Sequence, residues 1–433
     1  LTNAHLIEYA TRVIVRRADS SSSYEAIVQY SAPAIDLAIL TVNDTSFYAG
    51  QAPLAINPEI PSEGAPATTY GFADGEHKII AIDSRVENAK FEGISHLCFW
   101  LRYQIRAAIV PGLSGSPLVL DGKLIGVVRM AQPPTTAFAV SNREVLMFLS
   151  DIDDGRYDGK QMVFDEGLAL TKPGIRKFLG VDDSVRGYVI TKPLGDPASP
   201  LRPWDIITRV GSTTLNENGQ GATPDGQTFW MNYFVQEHAT KGKIRYSILR
   251  EGRELEVEVP TYVARPKVIP FLFGHLPSYF VFGPIAFSYA TEEFLEYMES
   301  REGEKIASRS TLSRRSDPLV TRREDMPAFS GEQIVVIAAP LLRDDICEGQ
   351  TDVNTRVVER VNSIRIKNLP HLVEVLRDAT TEFIVIEFAG RYARPLIVPT
   401  EICRRVTGEI MTEHRISQQA SDDLLPILNS GRN

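Results

Sequence analysis

Cysteine is scarce in this sequence of 433 residues. The three cysteines, Cys98, Cys347 and Cys403, lie far apart, are odd in number and show no metal-ligand spacing. Buried free thiols are therefore expected rather than a disulfide framework. The histidines and carboxylates form no cluster with zinc-ligand spacing either, which predicts no metal ion and argues against a metal-dependent hydrolase.

Basic residues are also in deficit, because the formal net charge is −9 at pH 7. Nucleic-acid-binding domains carry clustered basic surfaces, so no nucleic-acid partner is expected. An uninterrupted hydrophobic run is missing as well. The most apolar stretch, residues 268–287, is long enough to span a bilayer but contains three prolines and two glycines. These helix breakers argue against a membrane span and favour an extended, aromatic-rich packing surface.

Short apolar or alternating runs separated by turn residues fill positions 1–150, among them "RVIVRR", "DLAILTV" and "KLIGVVRM". This spacing of short strands is typical of a β-sandwich or β-barrel. The stretch "NREVLMFLSDI" then has helical periodicity, with Asn142 as the expected N-cap. Residues 160–262 and 333–398 have a similar order of strands and helices, which indicates a weakly repeated α+β module. The dipeptide "EG" at 251–252 predicts a hairpin turn.

The sequence "PGLSGSP" at 111–117 places Ser114 between glycines and before a proline. Glycine, serine and proline are common in surface turns, so an ordinary turn is one interpretation. The other is a nucleophile loop, in which backbone N–H groups converge on one point and no Cβ blocks them. A serine nucleophile needs a base and a carboxylate that orients the base. His5 in "LTNAH" and Asp36 in "DLAILTV" are the candidates.

These three blocks, in this order, resemble the catalytic motifs of the HtrA/Deg serine proteases. The resemblance extends over nearly the whole chain and is nearest to the plant-type Deg proteases with two divergent PDZ domains. It implies a mainly β fold with α+β modules, in which a chymotrypsin-like double β-barrel precedes two PDZ domains. The implied domains are a protease domain over 1–157, PDZ domains over 158–263 and 326–425, a connecting segment over 264–325 and a tail over 426–433.

The resemblance also implies roles for single residues. Ser114 would attack the scissile carbonyl, His5 would serve as general base and then acid, and Asp36 would orient His5. The backbone N–H groups of Gly112 and Ser114, with Leu113 between them, would form the oxyanion hole. No cofactor is implied.

The primary substrate pocket would be lined by apolar residues that flank the nucleophile loop and by a later strand. Family positions assign Ala108, Ile109, Ala137, Phe138 and Ala139 to it. Small or medium aliphatic side chains are therefore expected on the acyl side of the cleaved bond.

The sequence departs from the family pattern in ways that bear on activity. Leu113 stands in place of the usual asparagine, and Pro111 removes one backbone donor from the loop. Two strands that precede the histidine motif in relatives do not occur here, which would leave the first barrel with an open edge. We expect a natural N-terminal segment ahead of Leu1.

The expected function is an ATP-independent serine endopeptidase that degrades unfolded or damaged proteins. The alternative is a catalytically inactive PDZ scaffold or holdase. PDZ domains imply peptide ligands bound by strand addition, and the family implies a homo-oligomer built from trimers. The bacterial cell envelope is favoured as the location, with an intracellular setting, as in the plant-type relatives, as the alternative.

Overall fold

The computed structural model describes residues 1–17, 22–73, 78–94, 98–107, 112–132, 135–299, 309–343, 345–347 and 353–430. The chain divides into two compact units, Leu1–Arg265 and Pro266–Asn433. The first unit contains an N-terminal sheet, a closed barrel and a second sheet with two helices. In the described ranges, no helix combines the length and the apolar character that a membrane crossing requires.

The N-terminal strands form an open, three-stranded antiparallel sheet rather than a closed barrel. Its strands are β1 (Val13–Arg16), β2 (Ser23–Ala32) and β3 (Leu37–Val42), in that order. Two short 3₁₀ turns, Ala4–Leu6 and Pro33–Ile35, flank this sheet at the side where the catalytic candidates lie. A third, Thr45–Tyr48, follows β3.

Six strands close into the barrel that the alternating pattern predicts, in the order β4-β5-β6-β9-β8-β7. They are β4 (Pro66–Gly71), β5 (Ile80–Ile94), β6 (Cys98–Arg106), β7 (Pro117–Leu120), β8 (Lys123–Gln132) and β9 (Thr136–Ser141). Small and branched side chains fill its interior, among them Ile105, Leu118 and Val128. Alternation along each strand places every second residue inside the barrel.

Helix α1 (Asn142–Asp151) follows the barrel, as predicted, but its cap differs from the prediction. Ser141 is the N-cap, and its Oγ accepts a hydrogen bond of 3.3 Å from Glu144 N. Asn142 is instead fully buried, where it accepts a bond from the hydroxyl of Tyr103 and donates to the carbonyl of Asn57. A serine immediately before an asparagine offers two capping candidates, and the barrel contacts decide between them.

The remainder of the first unit is an antiparallel sheet in the order β10-β11-β12-β16-β17, with β13 paired to β12 and a separate hairpin of β14 and β15. The strands are β10 (Glu166–Ala169), β11 (Tyr188–Lys192), β12 (Ile206–Val210), β13 (Thr213–Thr214), β14 (Gln220–Ala222), β15 (Thr228–Trp230), β16 (Lys243–Arg250) and β17 (Arg253–Pro260). Helices α2 (Pro173–Leu179) and α3 (Met231–His238) complete it. The predicted hairpin turn is confirmed, because Glu251 and Gly252 both have positive φ, as a tight β16–β17 turn requires.

Helix α3 packs this second sheet onto the barrel. Tyr233 shares a hydrophobic cluster with Leu101 of the barrel. The Gln236 side chain donates a hydrogen bond of 3.2 Å to the carbonyl of Phe99. The barrel and the second sheet therefore share apolar core as well as a linker.

The second unit contains two sheets, ordered β18-β19-β20 and β22-β21-β23-β24. The strands are β18 (Tyr279–Phe282), β19 (Ile285–Tyr289), β20 (Val335–Ile337), β21 (Val358–Val361), β22 (Ile364–Arg365), β23 (Phe383–Phe388) and β24 (Leu396–Pro399). The helices are α4 (Glu292–Glu299), α5 (Arg309–Arg314), α6 (Pro318–Thr321), α7 (Leu369–Arg377), α8 (Thr400–Glu413) and α9 (Leu425–Asn429). A further 3₁₀ turn spans Asp345–Cys347. The hairpins β12–β13 and β21–β22 are the counterparts that the weak internal repeat predicts.

The aromatic part of the predicted connecting segment belongs to the core of this second unit. Strands β18 and β19 form a hairpin whose turn is Gly283–Pro284, and β19 then pairs with β20. Phe280 and Phe287 are buried with side chains of α7 and β23. A run broken by glycine and proline is thus a tight hairpin here, which sequence pattern alone does not distinguish from a connection.

Candidate active site

His5 is held at the start of the chain by pairing with β3. Thr2 and Ala38 exchange two backbone hydrogen bonds of 2.9 and 2.8 Å. The fully buried Asn3 donates from Nδ2 to the carbonyl of Asp36 at 3.0 Å. These bonds fix the 3₁₀ turn that carries His5, whose side chain stays 40% exposed. The imidazole is therefore anchored through its backbone and open to a substrate.

Asp36 lies where the second 3₁₀ turn passes into β3, with a left-handed φ of 55°. Its side chain is only 7% exposed. The carboxylate accepts three bonds from one residue, with His5 Nδ1 2.8 Å from Oδ2 and 3.0 Å from Oδ1, and His5 N 2.9 Å from Oδ1. Because an ionised carboxylate only accepts, the ring bond places a proton on Nδ1 and leaves Nε2 of a neutral ring as an acceptor.

The loop around Ser114 has the backbone that only glycine adopts readily. Gly112 and Gly115 have φ values of 92° and 85°. A Cβ on Gly115 would lie 2.7 Å from Thr2 Oγ1, so the serine loop and the histidine segment pack too closely for a side chain there. Leu113 is fully buried under this turn, and its carbonyl accepts a bond of 3.1 Å from Ser116 N. The glycines in the motif are thus explained by conformation and by close approach.

Three backbone N–H groups of this loop have no described acceptor. Among the described residues, the N–H groups of Gly112, Leu113 and Ser114 donate to no acceptor, whereas Gly115 N bonds to Val128 O at 2.8 Å. Unused N–H groups on a tight turn are the donors that stabilise a developing oxyanion. The loop can therefore serve the role predicted for it, although Pro111 lies outside the described residues.

The three catalytic candidates are brought to one place but are not joined in a single chain of hydrogen bonds. His5 and Asp36 are bonded, whereas the Ser114 hydroxyl donates to the main-chain carbonyl of Arg129 at 2.8 Å. The described contacts include no hydrogen bond between Ser114 and His5. The Ser114 hydroxyl therefore donates to a main-chain carbonyl and not to the base.

Arg129 is the residue of this site that sequence reasoning missed. Its Nε donates to Asp36 Oδ2 at 2.8 Å, and its side chain is 23% exposed. The guanidinium also lies 5.7 Å from the centre of the Trp100 ring. The available signal was one positive charge near the end of the apolar run "KLIGVVRM". No pattern in the sequence directs that charge to Asp36.

The structure describes three of the five residues predicted to line the substrate pocket. Ala137 and Ala139 are fully buried in the barrel interior. Phe138 lies between them in sequence and therefore points to the opposite face of the sheet. Ala108 and Ile109 lie outside the described residues. Of the predicted pocket residues that the structure describes, Phe138 is the one that is partly exposed.

A partly exposed charge pair lies beside Phe138, where the prediction expected only apolar groups. The Arg102 guanidinium stacks 3.9 Å from the centre of the Phe138 ring and bonds to Glu92. Burial, and then the nearby charge of Arg129, lower the pKa of Arg102. The expected preference for aliphatic side chains therefore draws no support from this face. Within the described ranges, no group of three potential ligands could hold a metal ion.

The sheet that contains β10 and the sheet that contains β19 differ in the strands that lie at their edges. β10 is at the edge of its sheet, and Asn232 of α3 bonds to Val163 N and O, both at 3.2 Å, just before that strand. β10 thus presents one unpaired edge near α3, among the strands described. In the second unit β19 is paired on both sides, by β18 and β20. Among the described strands, β10 therefore has a free edge and β19 has none.

Family comparisons agree with this architecture. A trypsin-like peptidase domain model matches residues 1–127, and a PDZ domain model matches residues 269–423. The chain is 26% identical to the putative protease Do-like 3, mitochondrial, of Arabidopsis thaliana, over 98% of this chain and 73% of that protein. It is 27% identical to protease Do-like 2, chloroplastic, of the same plant, over 98% of this chain and 69% of that protein.

A solved structure of the HtrA-type protease AlgW with a decapeptide is 20% identical, with a TM-score of 0.47, over 61% of this chain and 79% of that one. The plant relatives match along almost the entire chain, through both the peptidase and the PDZ regions. The chain belongs to the HtrA/Deg family of serine endopeptidases, with a trypsin-like protease domain followed by a PDZ domain.

Proposed function

We propose that this endopeptidase cleaves unfolded or damaged proteins without ATP, with Ser114 as nucleophile, His5 as general base and Asp36 as the carboxylate that orients His5. The observation that carries the proposal is the His5–Asp36 pair, bonded at 2.8 Å with the ring half-exposed beside the serine loop. A buried carboxylate that fixes the imidazole from the Nδ1 side is the arrangement a serine hydrolase needs.

In the acylation step Ser114 Oγ forms a bond to the scissile carbonyl carbon, and its proton passes to His5 Nε2. The electron pair of the carbonyl moves onto oxygen, and the N–H groups of Gly112 and Ser114 donate hydrogen bonds to the resulting oxyanion. Each such donor contributes about 3–4 kcal/mol of transition-state stabilisation. His5, now charged, stays bonded to Asp36. The tetrahedral intermediate collapses as the C–N bond breaks and His5 gives its proton to the leaving amine.

Deacylation repeats these steps with water in place of the serine hydroxyl. His5 takes a proton from water, the resulting hydroxide attacks the ester carbonyl, and Ser114 leaves with the proton that His5 returns. The described residues supply every acid, base and oxyanion donor that the two steps use. ATP has no role in either step.

The rotamer of Ser114 marks this structure as a resting arrangement. Its hydroxyl must leave the Arg129 carbonyl and turn toward His5 Nε2 before attack. Rotation about one side-chain bond between staggered positions is sufficient.

For the PDZ-like sheets we propose separate roles, in peptide capture and in assembly. The free edge of β10 supports capture of an extended peptide by the sheet that contains β10, within residues 158–263. The second unit is proposed to join subunits in a homo-oligomer. Because Phe280 and Phe287 are already used in its core, other surfaces must form that contact.

Degradation of a permanently unfolded protein tests the activity. The full chain should fragment reduced, alkylated casein without ATP, and the Ser114→Ala variant should not. The same variant, mixed with a peptide library, should show slowed amide exchange at residues 166–169 and not at 285–289. Suppressed aggregation without any fragmentation would instead support the holdase alternative.

A further inference from the structure

Arg129 contacts both Asp36 and Ser114, through different atoms. Its guanidinium bonds to the Asp36 carboxylate, and its main-chain carbonyl accepts the Ser114 hydroxyl. We infer that Arg129 is a positioning residue of the Ser114–His5–Asp36 site. Its guanidinium holds the Asp36 carboxylate in the orientation that positions His5. The inference rests on the proposed function.

The strand geometry explains how one residue reaches both partners. The β8–β9 register shifts between Val128 and Met130, so Arg129 is the extra residue of a β-bulge. A bulge leaves its extra residue out of the ladder and re-aims its side chain. In a regular ladder the Arg129 carbonyl would face β9. In the bulge it is available to Ser114, while the side chain extends toward Asp36.

The hydrogen bonds of the carboxylate show what the guanidinium adds. Asp36 Oδ1 accepts hydrogen bonds from His5 N and, at the longer distance, from His5 Nδ1. Oδ2 receives His5 Nδ1 at 2.8 Å and Arg129 Nε at 2.8 Å. Without Arg129, Oδ2 would be held by a single ring nitrogen, and the carboxylate could swing about its Cβ–Cγ bond. With Arg129, each oxygen is held by two donors.

The charge and the burial of Asp36 also support a positioning role for Arg129. Asp36 is 7% exposed, so little water reaches it, and a buried carboxylate with no opposite charge is unfavourable. The Arg129 guanidinium, which is permanently charged, bonds to this carboxylate at 2.8 Å. The Arg129 guanidinium is itself restrained beside the Trp100 ring. A planar fork held in this way imposes a direction on its partner that a flexible ammonium does not.

A positioning role predicts which kinetic constant changes. The Arg129 side chain bonds to Asp36 and lies beside the Trp100 ring. Loss of the guanidinium should therefore lower kcat, on the order of 10- to 100-fold, because a base displaced by an ångström costs about that much. KM should change by less than about threefold. Arg129→Lys keeps the charge and should recover part of the loss.

A double-mutant cycle tests whether Arg129 acts through Asp36. Four full-length proteins are compared: wild type, Arg129→Gln, Asp36→Asn, and both changes together. The readouts are kcat and KM on a fluorogenic peptide and the rate of fluorophosphonate labelling at Ser114. Arg129→Gln should slow labelling strongly when Asp36 is present. In the Asp36→Asn background it should slow labelling by less than about twofold, because the carboxylate that Arg129 positions is already altered. The control is Arg85→Gln, which removes an exposed arginine of the same barrel that bonds to Gly64 O.

Equal losses from Arg129→Gln in both backgrounds would overturn the inference, as would unchanged kcat or no recovery by Arg129→Lys. If Arg129→Gln alone does not fold, the double variant has no unpaired buried carboxylate, and its labelling rate is compared with that of Asp36→Asn. A difference above about threefold between those two contradicts the inference. A wild type that never labels at Ser114 refutes the proposed function instead.

Discussion

Replacing Lys160 by methionine should destabilise the first unit strongly, because it leaves a carboxylate buried without its cation. Lys160 lies in the linker that follows α1, and its side chain is 5% exposed. Its Nζ is 2.6 Å from Oε1 of Glu144, which is 2% exposed and also accepts a bond from Leu101 N. The pair thus ties α1, β6 and the linker to the second sheet together.

The magnitude follows from the distance and the burial. Two unit charges 2.6 Å apart attract by about 6 kcal/mol at an effective dielectric constant of 20. Desolvation of both groups offsets much of that attraction, so the intact pair adds little net stability. Removal of the lysine alone loses the attraction while Glu144 stays desolvated, and about 3–5 kcal/mol of unfolding free energy should be lost.

Tryptophan fluorescence isolates this effect in the full chain, since Trp100, Trp204 and Trp230 all lie in the first unit. The urea midpoint should fall for Lys160→Met and recover for the double variant Lys160→Met, Glu144→Gln, which buries no unpaired charge. A loss below about 1 kcal/mol for the single variant, or strictly additive losses in the double variant, would refute the reasoning.

Three further outcomes follow from single contacts. Gly115→Ala should reduce peptide cleavage at least about tenfold, because its φ of 85° and the Thr2 Oγ1 atom 2.7 Å from the new Cβ both displace the serine loop; equal activity would contradict this. Burial raises the pKa of the Cys403 thiol to about 12, so peptide mapping after iodoacetamide treatment of the folded protein should find Cys403 unmodified. The Arg322 hydrogen bond lowers the pKa of Glu332, so that carboxylate stabilises the second unit above its unfolded pKa, and this contribution is lost as the pH falls through the folded value. Glu332→Gln should therefore speed amide exchange at 318–334 at neutral pH and have little effect in acid.

Local patterns predicted much of the fold. Alternating runs indicated the barrel strands, a capping sequence indicated α1 within one residue, and Glu251–Gly252 indicated the β16–β17 hairpin. These features depend on neighbours in sequence, which is why they can be predicted. The hairpin with the turn Gly283–Pro284 becomes part of a sheet because β19 pairs with β20, about 50 residues further along the chain. Local sequence pattern does not show that pairing, so the sequence predicts a connecting segment there.

The same division applies to the site. His5, Asp36 and Ser114 could be chosen because the family order of three motifs restricts the choice. Strand alternation shows that Phe138 faces away from its two neighbours, but barrel closure decides which face is the interior. The partnership of Arg129 with Asp36 requires the bulge after Val128, and no residue of that strand signals a bulge.

Covalent labelling is the most direct test of the central claim that Ser114 is an activated nucleophile. The full-length protein is treated with a fluorophosphonate and the modified peptide is identified by mass spectrometry, with Ser114→Ala and His5→Ala as controls. The account predicts labelling at Ser114 in the wild type and none in either variant. A folded wild type that remains unlabelled, or a His5→Ala variant that labels at the wild-type rate, would contradict it.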